Sequence, residues 1–409
     1  MLNKKTENMN SEILKLTESV KWIGIRDYDI KTFDIVMETE HGTTYNSYFI
    51  DADKKVIIET AKEKFADEYL SKVKSVVNPA EIAYIVMNHT EPDHSGSLSK
   101  LLEIAPGAVV VGSGQAIKYL QDMHERKFEF LVVKDGDELD LGSKKLKFIG
   151  APNLHWPDSI YTYLVEDKIL FTCDSFGAHY CSDEMFDDLV GDYSDSFKYY
   201  FDVILKPYSK FMLRAIDKIR NLDIGIIATG HGPILRSTHK EIVELTEKYA
   251  AEYLKLNEHE KKKVLIAYVS AYGYTGDMAK YIAEGISSNT SVDVEVIDIE
   301  KMDLGEIDSK LVLADALIIG SPTINQNILL PVYKMFAVIN PLRDRGKLAS
   351  AFGSYGWSGE GVEIIESTLR NLKLDIFDKV LPMKFRPNSN QKSELFEYGK
   401  TFADKLNSL

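Results

Sequence analysis

What this chain of 409 residues lacks narrows its chemistry early. Its cysteines number two, Cys173 and Cys181, too few for a disulfide framework or a Cys-rich zinc or iron–sulfur site. No run approaches the roughly 20 apolar residues of a membrane span. The leading stretch MLNKKTENMNSEILK has no apolar core of a signal peptide, so a cytoplasmic protein is expected. The net charge is −14 and no Lys/Arg stripe interrupts it, which argues against nucleic acid and anionic membrane surfaces as partners. Neither a GxGxxG dinucleotide fingerprint nor a Walker loop is present.

What is present divides in two. From residue 20 to about 175, short apolar strands alternate with turns: DIVMET, TYNSYFI, KVIIET, IAYIVMN, AVVVGS, FEFLVV, KLKFIGA, IYTYLVE and KILFTCD. Helices are expected near 61–76 and 113–121, across 180–222, and from Thr238 to Glu258. After the charged hinge NEHEKKK, apolar strands alternate regularly with helices, the pattern of a doubly wound parallel sheet. The expected organisation is a flexible leader over 1–18, a β-rich domain over 19–260 and an α/β domain over 261–409.

The β-rich part places potential metal ligands where strands stop, at His89, His155, Asp174 and His231. The stretch NHTEPDHSG adds Glu91, Asp93 and His94 within one turn. A lone histidine at a strand end is usually structural, but four of them beside three carboxylates point to a metal site. Placing His89, Glu91 and His155 on one ion and Asp93, His94 and His231 on another leaves Asp174 to bridge. Four imidazoles with three hard carboxylates favour iron or manganese, although zinc hydrolases use related geometry.

The pattern HxHxDH marks the metallo-β-lactamase fold, and here Glu91 stands at its second histidine. The set HTEPDH, LHWPDS, CDSFG and GHGP resembles the flavodiiron proteins from about residue 20 to the end of the chain. That resemblance implies α/β plus α+β architecture: an N-terminal metallo-β-lactamase-like αββα sandwich, then a C-terminal flavodoxin-like doubly wound parallel sheet. It also implies two non-haem iron ions per chain, with Glu91 exchanging a zinc-type ligand for an iron-type one.

Three loops in the second half resemble the FMN-binding loops of flavodoxins. YVSAYGYTG follows an apolar strand and opens a helix, offering Ser270, Ala271, Tyr272, Gly273, Tyr274 and Thr275 to a phosphate. GSPTINQN offers Ser321, Pro322, Thr323, Ile324 and Asn325. GSYGWSGEG offers Ser354, Tyr355, Gly356, Trp357 and Gly359, with Trp357 suited to an aromatic face. Loops after successive parallel strands fit the switch-point rule, and FMN is favoured over NAD or FAD.

The two cofactors belong together by electron count. Dioxygen needs four electrons to become water and a pair of nitric oxide molecules needs two to become nitrous oxide; a di-iron pair and a reduced flavin each supply two. The resemblance further implies a head-to-tail homodimer, possibly a dimer of dimers, that brings one subunit's FMN beside the other's irons. Two cysteines cannot form a rubredoxin-type iron site, so a separate donor is expected, rubredoxin as usual in the family or coenzyme F420. Trp156, Asp158, Ser159, His179, Tyr199 and Tyr200 are candidates to support the ligands. The rival readings are a zinc hydrolase of the lactamase-like class with a fused flavin module, and a carrier with a vestigial metal site.

Overall fold

The computed structural model describes residues 12–33, 37–125, 127–255, 260–341, 343–377 and 379–409. It consists of two compact units, Met1–Glu252 and Tyr253–Leu409. The division falls in the last turn of the helix His239–Lys255, ahead of the boundary expected at 260. Residues 257–259 of the expected hinge, and residues 34–36 of the DIVMET strand, lie outside the described residues, as do residues 1–11 of the expected leader. From Leu14 the chain is paired: Leu14–Lys15 runs antiparallel to Lys21–Trp22.

Two mixed sheets build the first unit. One orders its strands Leu14–Lys15, Val20–Trp22, Tyr48–Ile50, Lys55–Ile58, Ile82–Met87, Val109–Gly112 and Phe130–Val132; the other orders Glu138–Asp140, Lys145–Gly150, Ile160–Leu164, Ile169–Cys173 and Ile226–Thr229. The alternation of side chains along a strand explains how they stack. Tyr48, Ile50, Val56 and Ile58 of the first sheet share one core with Leu146, Phe148, Ile169 and Phe171 of the second. Their neighbours Phe49 and Ile57 face instead the helices Ala66–Val76, Leu98–Ile104 and Gly114–Met123. On the far side Ile149 and Leu170 pack with Met212, Ile216 and Ile219 of the helix Ser209–Ile219. Helix, sheet, sheet, helix is the result.

The helix expected across 180–222 begins only at Ser194. Residues 180–193 are irregular, with Phe186 bridging to Ile234 and Asp187 accepting backbone N–H groups of Arg236, Ser237 and Thr238. Tertiary pairing to the 234–238 segment overrides local helical preference there.

The second unit is a parallel sheet in the order Val292–Asp298, Lys262–Tyr268, Ala316–Gly320, Leu348–Tyr355, with Asp375–Ile376 and Leu381–Lys384 both paired to the last. Its inner strands Lys262–Tyr268, Ala316–Gly320 and Leu348–Tyr355 are largely apolar on both faces, as a sheet covered by helices on both sides demands. Leu265, Ala267, Leu317 and Ile319 face one core, and Val264, Ile266, Ala316 and Ile318 the other. The strand Leu381–Lys384 has Pro and Lys at alternate positions and escaped the sequence reading.

Candidate metal centre and flavin loops

The NHTEPDHSG segment leaves the strand Ile82–Met87 and closes into one helical turn, Pro92–Ser95. Pro92 sits at the first helical position, where its missing N–H costs nothing. The N–H groups of His94 and Ser95 both bond the Glu91 carbonyl, so His89 and Glu91 leave along an extended stretch while Asp93 and His94 leave from the turn. Asp174 follows the strand Ile169–Cys173 directly, and His231 follows Ile226–Thr229 by one residue. His155 is the exception: it lies well past Gly150, within a loop rather than at the strand's end.

All seven side chains converge. His89, Glu91, His155 and Asp174 form one group able to hold a metal ion, and Asp93, His94 and His231 another. Glu91 Oε2 lies 3.0 Å from His155 Nε2 and 3.3 Å from His89 Nε2. Asp93 Oδ2 lies 3.0 Å from His231 Nε2 and 3.2 Å from His94 Nε2. Asp174 serves both groups: Oδ2 is 3.4 Å from His89 and 3.3 Å from His155, while Oδ1 is 3.1 Å from His94 and 3.4 Å from His231.

Of these short contacts, those of His89 with Glu91 and of His94 with Asp174 are hydrogen bonds, but several of the carboxylate oxygens are left over. Neither oxygen of Asp93 nor Oδ2 of Asp174 has a hydrogen-bond partner among the described residues, though all are buried. Donor atoms crowded round common points, rather than aimed at one another, are what bound cations require. Electrostatics agrees. Burial opposes charge on His89, but hydrogen bonds to Asp158 and Glu91 and the Asp174 charge outweigh it and raise its pKa well above the ordinary value. His155 is pushed up to about 9 by Asp174 and Glu91 against the same burial. Glu91 is held well below the usual carboxylate range, its desolvation outweighed by His155 and His89. The carboxylates demand positive charge at the centre, and metal ions supply it without the protons. Two dications therefore fit this donor set.

Outer partners fix the rings. His89 Nδ1 donates to Asp158 Oδ2 at 3.2 Å, and the same oxygen accepts from Thr90 N and Oγ1. His231 Nδ1 donates to the Thr44 carbonyl at 2.5 Å. His94 Nδ1 meets only a sulfur, Cys173 Sγ at 3.5 Å. Of the other supporting candidates, His179 contacts Thr43 Oγ1 through Nδ1 at 2.9 Å and stacks on Phe33, while its Nε2 and the Tyr200 hydroxyl have no hydrogen-bond partner among the described residues. Tyr199 points to solvent. Ser159 Oγ donates to the Trp156 carbonyl, and the Trp156 ring lies edge-on to His89. The sequence reading named Asp158 but missed Thr44, because a backbone carbonyl has no residue-type signature.

In the second unit the three expected loops follow Lys262–Tyr268, Ala316–Gly320 and Leu348–Tyr355, three neighbouring parallel strands. Gly273 caps the helix Tyr274–Ser287 with φ +81°, and nothing lies within 4 Å of where its Cβ would stand. Residues 324–327 close a two-residue hairpin, with Asn325 and Gln326 both left-handed and Ile324 and Asn327 exchanging both backbone bonds. Ser354 joins the loops: its Oγ meets Thr275 Oγ1 at 2.9 Å and its carbonyl accepts from Thr323 N. Ser321 is buried, its hydroxyl donating to Pro322 O and accepting from Leu329 N, so it shapes the loop from inside. Trp357 and Tyr272 are 82% and 78% exposed, two aromatic faces with no protein to cover them. An open cradle flanked by bare rings fits a planar flavin with a phosphate tail. Phe385 was missed: it is 55% exposed, its N–H donates to Tyr355 O, and its ring sits beside Gly356.

Fold and site together define a lactamase-like metal domain joined to a flavodoxin domain. Family models agree: residues 43–232 match the ODP family beta lactamase and residues 266–399 match flavodoxin. The chain is 39% identical over 399 residues to Flavo-diiron protein FprA2 of Clostridium acetobutylicum, covering 96% of this chain and 99% of that one. It is 35% identical over 395 residues to the anaerobic nitric oxide reductase flavorubredoxin of Escherichia coli, covering 94% and 81%. Rubredoxin oxygen:oxidoreductase from Desulfovibrio gigas superposes with a TM-score of 0.68 at 28% identity, covering 97% of this chain and 99% of that one. The chain belongs to the flavodiiron proteins.

Proposed function

We propose that this protein is an oxidoreductase that reduces dioxygen to water, or nitric oxide to nitrous oxide, at a di-iron centre fed by FMN. The observation that carries this reading is Asp174, which presents one carboxylate oxygen to His89 and His155 and the other to His94 and His231. That arrangement supports His89, Glu91, His155 on one iron, Asp93, His94, His231 on the other, and Asp174 between them. Ser270–Thr275, Ser321–Asn325, Ser354–Trp357 and Gly359 would hold the FMN. When bound, the irons and the flavin each supply two electrons, and the irons offer open positions to a small oxide.

The chain's own residues prepare that site. Asp158 and the Thr44 carbonyl accept hydrogen bonds from the Nδ1–H groups of His89 and His231, which leaves each Nε2 lone pair for a metal. Glu91 supplies a hard anionic donor where a third histidine would favour zinc. His179 Nε2 and Tyr200 Oη, buried beside His231, can each hold a proton there. His89, His94 and His231 are essentially shielded from solvent, whereas His155 is 19% exposed on its side chain and marks the side open to small molecules.

Relatives named for a rubredoxin and for flavorubredoxin support a rubredoxin-type protein as electron donor. The reading includes a head-to-tail homodimer in the cytoplasm; among the described residues no helix is long and apolar enough to cross a membrane. The deciding experiment mixes the fully reduced protein with substoichiometric dioxygen and measures peroxide. Almost none, with flavin and iron both oxidised, is expected. Near-stoichiometric peroxide would mean that the flavin reacts alone and the di-iron reading is wrong.

A further inference from the structure

The flavin loop that would receive the FMN phosphate carries no basic residue. From Tyr268 to Asp277 the one charged side chain is Asp277, in the first turn of the helix Tyr274–Ser287. A helix N-terminus attracts a phosphate through its free N–H groups and its partial positive charge, equivalent to roughly half an elementary charge. A carboxylate on that same turn cancels much of the attraction and repels a dianion.

The structure brings a cation to this point from more than 100 residues away in sequence. The strand Leu381–Lys384 pairs with 352–355, and the Phe385 N–H donates to the Tyr355 carbonyl at 2.8 Å, which locks the segment to the third flavin loop. The next residue, Arg386, places Nε 3.2 Å from Asp277 Oδ2 and its guanidinium 5.2 Å from the ring centroid of Tyr274. Its side chain is 65% exposed and that of Asp277 44% exposed. A pair this open adds little to stability. Its consequence is for what binds beside it.

We propose that Arg386 is a specificity-determining residue for the flavin phosphate, acting by neutralising Asp277 at the mouth of the 270–276 loop. The inference rests on the FMN reading of that loop. It makes the chain discriminate FMN from riboflavin by charge as well as by backbone N–H groups, and it assigns a role to a segment outside the three flavin loops. Arg386 over the Tyr274 face also holds that ring at the start of the helix.

The test measures binding of FMN and of riboflavin, by quenching of flavin fluorescence, to the full-length chain freed of flavin. At low salt Arg386→Gln should weaken FMN binding about five- to tenfold, the scale of one charge near a dianion at a solvent-exposed helix end. The loss should shrink in roughly 0.5 M salt, where the screening length falls to a few ångströms. Adding Asp277→Asn should restore FMN affinity to within about twofold of wild type at low salt. Riboflavin binding should be the same in all three proteins. The proposal is overturned if Arg386→Gln binds FMN as wild type does, if it loses FMN and riboflavin equally, or if the double variant stays as weak as the single one. A wild-type chain that takes up neither flavin would instead overturn the FMN reading on which the proposal stands.

Discussion

The metal centre and the flavin loops solve opposite problems with the same device, the ends of strands. At the metal centre the candidate donors are side chains, five of the seven buried, drawn from two sheets that face each other across one core. At the flavin loops the groups on offer are largely backbone and hydroxyl, on loops at one end of one sheet, and the aromatic faces of Tyr272 and Trp357 stand in solvent. A small cation needs charge and exact distances, so it selects residue types and rigid burial. A large planar ligand needs surface and an open cradle, so it selects loop shape and leaves its contacts exposed. Damage should therefore be local and discrete in the first case, graded in the second.

The sharpest way to break the comparison is Asp174→Ala. Loss of the residue that faces both groups should abolish reductase activity and empty at least one metal position, while flavin content stays at that of wild type. Iron analysis and flavin absorbance on the same sample check this; a variant with full iron and activity would remove Asp174 from the centre. Glu91→His comes next. It keeps a donor at the position but exchanges a hard anionic oxygen for a neutral, softer nitrogen, so iron retention and turnover should fall about tenfold and zinc uptake rise when both metals are offered. Unchanged metal preference would mean that Glu91 does not set it.

On the other side, Trp357→Ala should weaken FMN about tenfold, the scale of one stacked ring, and leave iron content untouched. An equal loss of iron would contradict the separation of the two sites.

The smallest effect concerns stability. Lys72 is buried, its Nζ donating to the Gly24 carbonyl at 2.6 Å and lying 3.9 Å from the Trp22 ring centroid. Burial, with the Arg26 charge adding to it, lowers its pKa to about 7. In the unfolded chain the group titrates near ~10.4. Between those values the unfolded state holds a proton that the folded state has lost, so stability rises with pH from about 7 towards 10, and the charging cost is present in full below 7. Lys72→Met should flatten that rise and help most on the acidic side. Thermal unfolding of the first unit at pH 6 and pH 9.5 measures it; parallel curves for variant and wild type would refute the assignment.

How far these features could be read from residues alone follows the same division. The run HTEPDHSG announces its role because charged and imidazole side chains rarely gather at a turn without a cation. Asp158 was within reach as a neighbour of His155. The Thr44 carbonyl, 187 positions from its histidine, was not, since any residue type offers the same acceptor. His155 was expected at a strand end and sits in a loop, because the apolar run that precedes it stops pairing at Gly150 while its hydrophobic pattern continues to Leu154. Residues 180–193 have helix-compatible composition, yet Phe186 and Asp187 are claimed by the 234–238 segment.

By itself the sequence determined the alternation of strands and helices, the seven candidate metal-donor side chains and the three candidate flavin loops, because side-chain periodicity and residue chemistry are local properties. The tertiary structure decided the rest. It gave Asp174 one oxygen for each group, set a carbonyl behind His231, left Trp357 uncovered, and carried Arg386 to Asp277. The contacts among these join groups distant in sequence, and their separation in space is fixed only when the strands and helices of each unit have packed.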